Sequence, residues 1–214
     1  MISTRDLSHL PDIVRLRALS QSLALLDAII APEWDLRYYS FNSHWSDSEA
    51  MASMRDGSGD EYFLLFTPAG AIMKGFAHEA PMTPYRVDPP QLWPGVLESV
   101  PEGFAAFLSE PAFSLEDTTF CIWRSQADNQ WQRGTITFPA GDDPDGSASL
   151  LALLDGNPLT YQTRAEEYFE QAVDLAAIQH IYQHKPITRA VVKSLNPEMS
   201  LRALQEDMTE IGYM

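Results

Sequence analysis

The 214-residue chain has one cysteine, no long apolar run, and few basic residues. A lone Cys121 cannot form an internal disulfide, and its setting in TTFCIWR reads as a buried strand thiol and not an exposed nucleophile. No stretch approaches the roughly 18 apolar residues that a membrane span needs. The start, MISTRDLSHLPD, has neither the basic nor the apolar part of a secretory signal, so the expected compartment is the cytoplasm. The 14 Lys and Arg residues are outnumbered by 30 Asp and Glu and are scattered, which argues against nucleic acid and anionic membrane as partners. Signatures of common chemistry are missing too: GxGxxG, GxxxxGK[ST], HExxH, GxSxG and paired CxxC do not occur. No catalytic residue, metal ligand set or cofactor is therefore assigned, and an enzyme is the less favoured class. Repeats, low-complexity tracts and flexible linkers are likewise missing.

What is present is a foldable, strongly acidic chain. With 45% apolar and 11% aromatic residues it can bury a real core. The net charge of -16 is concentrated in the middle, where residues 38–119 alone carry -9. Such a field can steer a basic protein partner, although acidity also serves solubility alone.

The pattern predicts an α+β fold, with antiparallel β-hairpins in a mixed sheet packed by helices. Residues 1–158 are expected to form the core and 159–214 a helical extension packed on it. Leu7 to Ile30 reads as a helix, with Ile13, Leu16, Leu19, Leu23, Leu26 and Ile30 at three- and four-residue steps, Pro11 near its start and Pro32 beyond its end. Asp35 to Phe41 reads as a strand. Ser46 and Glu49 match a capping box, and Gly57 a left-handed stop, which predicts a short helix over Asp47 to Asp56. GDEYFLLF and AIMKGFAH flank Thr67 to Gly70 as a hairpin. The proline-rich Pro81 to Pro101 is expected to be a packed irregular loop, followed by an amphipathic helix, Glu102 to Glu110, with Phe104, Phe107 and Leu108 inward. TTFCIWR and WQRGTITF form a second expected hairpin around Ala127 to Gln130. After an acidic turn, Gly141 to Gly146, SASLLALLDG reads as a helix stopped by Gly156. One long helix over RAEEYFEQAVDLAAIQHIYQH and two shorter ones, each beginning at a proline, complete the chain.

The densest segment is Arg37 to Glu79. Its candidate interaction face comprises Tyr38, Asn42, Trp45, Arg55, Asp60, Glu61 and Glu79. Tyr and Trp favour interfaces because a rigid apolar body carries a polar tip, whereas alternation along a strand sends every second aromatic to the core. A small-ligand or enzyme pocket around Tyr38, Asn42, Trp45, Arg55 and His78 is the alternative. Within it, His78 and Glu79 resemble an acid/base pair, but neighbours on a strand point to opposite faces. Asp56, Asp60 and Glu61 around Gly57 and Gly59 loosely resemble a calcium loop without its alternating ligands, and are more simply a helix cap and a turn. His180 and His184 stand four apart on a helix and lack a third ligand.

The segment SMRDGSGDEYFLLFTPAGAIMKGFAHE with the later VPEGFAAFLSE resembles the core of SMI1/KNR4-type (SUKH) proteins, through Gly57, Gly59, Asp60, Gly70, His78, Glu79, Phe104, Phe107 and Leu108. The resemblance covers about Ser53 to Leu108 and implies a non-catalytic, immunity- or antitoxin-like binder of a basic protein. The longer run RYYSFNSHW...SMRDGSGDE...KGFAHE is also similar to bacterial proteins of unassigned function, which implies a bacterial source. A regulatory homo-oligomer with an aromatic self-interface is the third reading, and the sequence leaves the oligomeric state open.

Overall fold

A computed structural model describes residues 2–213 of the chain. Strands β1 (Tyr39–Asn42), β2 (Ala50–Arg55), β3 (Glu61–Thr67), β4 (Gly70–Phe76), β5 (Phe120–Ser125) and β6 (Gln132–Arg133) form one antiparallel sheet in sequence order. Alternation gives this sheet two apolar faces. Tyr39, Phe41, Met54, Tyr62, Leu64, Phe66, Met73 and Ile122 point to one core. Phe63, Leu65, Ile72, Cys121 and Trp123 point to the other. Both faces are covered, which is why FLLF in β3 is an unbroken apolar run.

The first face carries helix α1 (Ile13–Ile30), which Asp12 caps by accepting the Arg15 amide at 2.9 Å. Leu23, Leu25, Leu26, Ala28 and Ile29 are all fully buried, so α1 is an internal helix and not a one-sided amphipath. Around it stand α4 (Pro158–Phe169), α5 (Leu175–Tyr182), α6 (Arg189–Leu195) and α7 (Gln205–Ile211). The second face is covered by the proline-rich loop, the one-turn helix α2 (Ala105–Leu108) and the Phe113 turn. Phe104, Phe107 and Phe113 are fully buried there. The fold is α+β, with a helical C-terminal part.

Several local expectations are overturned by tertiary pairing. Residues 47–56 form no helix. Ser46 Oγ does donate to Glu49 at 3.0 Å, but the pair closes the β1–β2 connection, and Ala50, Ala52 and Met54 then alternate inward between β1 and β3. Gly57 takes its left-handed φ of +75° in the β2–β3 turn and not at a helix end. Asp35 belongs to a single 3-10 turn ahead of β1. The second hairpin is cut to two paired residues on its far strand, because the chain after Arg133 leaves the sheet and lies on the proline-rich layer. There a Cβ on Gly134 would stand 1.9 Å from the Gly95 carbonyl oxygen, and the Trp93 indole donates to Thr137 O at 3.1 Å. The long C-terminal helix breaks after Phe169, where Glu170 turns left-handed at φ +51°. The corner is stitched by Gln162 donating to Val173 O and Val173 N donating to Glu166. The next two helices start from Thr188 and Leu204, not from Pro186 and Pro197. SASLLALLDG is a helical turn, α3 (Ser147–Leu150), plus a 3-10 turn that ends at left-handed Gly156.

Gly75 marks how tightly β4 and β5 meet, since an added Cβ would stand 2.2 Å from the buried Phe120 ring. Gly75→Ala is expected to lower unfolding free energy by about 1–3 kcal/mol through overpacking. Urea unfolding should show a lower midpoint at an unchanged slope.

Candidate functional site

The expected aromatic and acidic face is divided between the two sides of the sheet. Trp45 stacks on Phe113 at 5.6 Å and belongs to the second core. Asn42 turns back to accept the His44 amide at 2.8 Å and shapes the β1–β2 connection. Arg55 lies 5.0 Å over Phe63 and 3.5 Å from Glu61, whose other oxygen is 3.5 Å from Lys74. Lys74 is fully buried and donates to the carbonyls of Asp117 at 2.6 Å and Ser114 at 3.1 Å. These charges form a cross-strand row in which two cations share the one Glu61 carboxylate. Tyr38 is on the opposite side, packed against Tyr168 with centroids 4.5 Å apart. Tyr38, Asn42, Trp45, Arg55 and His78 therefore do not converge on one pocket.

The β2–β3 turn is built by Asp56, which accepts the amides of Ser58, Gly59 and Asp60 at 2.8, 3.1 and 3.0 Å. Partial burial raises its pKa, but the Ser58 hydroxyl and these amides outweigh that and hold the carboxyl below its ordinary value. Asp60 in turn accepts both the backbone amide of His78 at 2.9 Å and its ring Nδ1–H at 2.7 Å. That hydrogen bond is the main reason the imidazole titrates above its ordinary value. The partner of His78 is thus Asp60 from the preceding hairpin and not Glu79, which stays 3.9 Å from Nε2 with its side chain almost fully exposed. Asp56 and Gly57 cap no helix. His180 and His184 do not converge either, since their Nε2–H groups donate to the carbonyls of Pro186 and Ala18. Among the described residues there is no cluster of His, Cys, Asp or Glu able to hold a metal ion. No helix among them is long and apolar enough to cross a membrane. Burial pushes the Cys121 thiol up to about 12, as expected for a core thiol.

Two of the expected residues do meet at one cleft. Tyr38 and Asp60 line a depression of about 640 Å3 between the β2–β3 turn and α4, together with Asp56, Thr163, Arg164 and Glu167. Arg164 lies over the Tyr38 ring at 5.5 Å. Beneath the cleft a narrow slot leads to Asp27 in the last turn of α1, and Tyr38, Tyr39, Leu153 and Arg164 line both spaces. Asp27 is 2% exposed. It accepts the amides of Tyr38 and Tyr39 at 2.9 Å each on one oxygen and the Tyr161 hydroxyl at 2.9 Å on the other. Burial pushes its pKa up to about 6 against the pull of these donors and of Arg37.

Sequence reasoning passed over Asp27, Tyr161 and Arg164. The available signal was Asp27 itself, a carboxylate inside the apolar run LALLDAII, which has to find donors once its helix is buried. No family model matches the chain, and no curated protein or solved structure matches it either.

Removing the Asp27 side chain leaves two amides and a hydroxyl without an acceptor. Asp27→Ala should therefore cost at least about 3 kcal/mol. Asp27→Asn keeps an acceptor for the amides and can donate to the Tyr161 oxygen, so it should cost far less. Because the folded-state pKa of about 6 lies above the ordinary 3.8, the native state binds this proton more tightly than the unfolded chain. Native stability gained from that proton is full below about pH 4 and is lost as pH rises through 6, by on the order of 2–3 kcal/mol. The difference in unfolding free energy between wild type and Asp27→Asn, measured from pH 4 to 7.5, should move in Asn's favour by that amount. A pH-independent difference would refute the assignment.

Proposed function

We propose that the protein is a non-catalytic binding module, immunity- or antitoxin-like, which receives a basic segment of a partner protein in the cleft between α4 and the β2–β3 turn. The observation that carries this reading is the convergence of Asp56, Asp60 and Glu167 with Tyr38 on one depression, in which the chain's own Arg164 already lies over the ring. An arginine held on an aromatic face beside carboxylates is the contact that a basic partner would repeat. The overall charge of -16 favours the encounter from a distance. Of the expected face, Tyr38 and Asp60 belong to this surface. Asn42, Trp45, Arg55 and Glu61 serve the sheet, and Glu79 lies outside the cleft lining.

The enzyme reading draws less support. The Asp60–His78 pair has an oriented imidazole, but among the described residues no serine, threonine or cysteine side chain hydrogen-bonds to it.

Immobilised protein should retain basic partners in about 0.1 M salt and release them in about 1 M salt, where the Debye length shrinks from roughly 10 Å to roughly 3 Å. Glu167→Lys reverses an exposed cleft charge without touching the core and should abolish retention. Retention indifferent to both salt and Glu167→Lys would overturn the reading.

A further inference from the structure

A buried carboxylate without a counter-ion is rare, because transferring an unpaired charge out of water is costly. Asp27 is such a group. Among the described residues no salt bridge includes it. Arg37, whose charge acts on it from a distance, is paired with Asp207 at 2.5 Å. One Asp27 oxygen accepts two amides and the other accepts only the Tyr161 hydroxyl, so the second oxygen keeps a free lone pair. The slot beside this carboxylate is lined by Tyr38, Tyr39, Tyr161, Tyr168 and Phe169, with Arg164 at its edge.

We infer that the slot is the receptor for one primary ammonium group, a lysine side chain of the basic partner, with Asp27 as its counter-ion. Aromatic residues gathered around a single carboxylate favour a cation over any neutral or anionic group. Size selects which cation. The free volume of about 20 Å3 matches a group about the size of one water molecule, so a compact ammonium suits it better than a broader planar guanidinium. In the slot the ammonium donates to the free Asp27 lone pair and to the Tyr161 oxygen, which is still able to accept while its proton serves Asp27. Arg164 stands at the rim, where the slot meets the cleft, so a partner lysine enters past it. The inference rests on the cleft reading for the source of the lysine, and its chemistry can be tested separately.

The test is a titration of the 15N-labelled full chain with N-acetyl-lysine methylamide, with its Nε-acetylated form and with N-acetyl-arginine methylamide. The Tyr38 and Tyr39 amide resonances report on the slot because both protons donate to Asp27. They should shift saturably with the lysine compound and stay still with the other two. Asp27→Asn should weaken that binding roughly ten- to hundredfold, as expected for losing a charged hydrogen-bond acceptor. The contrast between the three probes on wild-type protein stands even if the variant folds poorly. Silence of both amides towards the lysine compound, or equal shifts with arginine or the acetylated form, overturns the inference. Partner retention that depends on Glu167 while both amides stay silent sinks the slot alone. A lysine-filled slot with retention indifferent to salt and Glu167→Lys sinks the cleft reading alone.

Discussion

The Asp27 carboxylate is the contact on which the remaining architecture converges. One side chain from α1 holds the first amides of β1 and the hydroxyl of Tyr161 on α4. The Tyr39 and Tyr38 amides lie where the chain turns off the surface into the edge of the sheet, in the interior between helix and strand. Without an acceptor there they would be buried and unpaired, which costs more than most single contacts contribute. An apolar residue at 27 would satisfy the helix pattern and strand both amides. Orientation of α1 against β1, and of α4 over both, therefore follows from one hydrogen-bonding requirement and not from hydrophobic contact alone, which has no direction.

The acid excess is distributed by the same logic. Much of the negative charge in the middle of the chain is architectural. Asp56 folds the β2–β3 turn, Asp60 ties that turn to His78, and Glu61 bridges Arg55 and Lys74 across the second face. Hydrogen bonds hold Asp56 and one oxygen of Asp60 but do not remove their charge, so both still contribute to the potential of the cleft. Glu61 is different, since two cations lie within 3.5 Å and its field is largely cancelled. The surface that can attract a basic partner is smaller than the sequence count implies, and it faces α4.

Periodicity made α1, the β3–β4 hairpin and the inward Phe104 and Phe107 legible in the sequence, because each depends on a pattern that local and global forces share. The segment 47–56 was illegible for the opposite reason. At a helix start Ser46 and Glu49 would each accept the other's backbone amide, whereas here the Ser46 hydroxyl donates to the Glu49 carboxylate across a strand connection, and the presence of β1 and β3 on either side decides for the strand. The break at Glu170 had no glycine or proline to announce it, and is imposed by the hydrogen bonds of Gln162 and Glu166 to Val173. In the site, Tyr38 and Asp60 were visible as members of one dense segment. Their neighbours Arg164 and Glu167 are more than a hundred positions away, and no local pattern links those distances.

Cleft and slot differ in what they can discriminate. The cleft is wide, open and acidic, and its attraction to any basic segment falls as salt rises. The slot is narrow and its charge is shielded from solvent, so an ion pair formed there is screened far less. In the proposed reading, long-range capture and short-range selection fall at different depths of one surface. The two are linked through stability. A native state that carries an unpaired buried carboxylate is strained electrostatically near neutral pH, and a cation seated beside Asp27 relieves that strain only in the folded form. Occupancy then adds to folding free energy by about 2.7 kcal/mol at a hundredfold excess over the dissociation constant. The residue that orients α1, β1 and α4 is the same residue proposed to meet the ammonium, so binding there would tighten the framework that shapes the site.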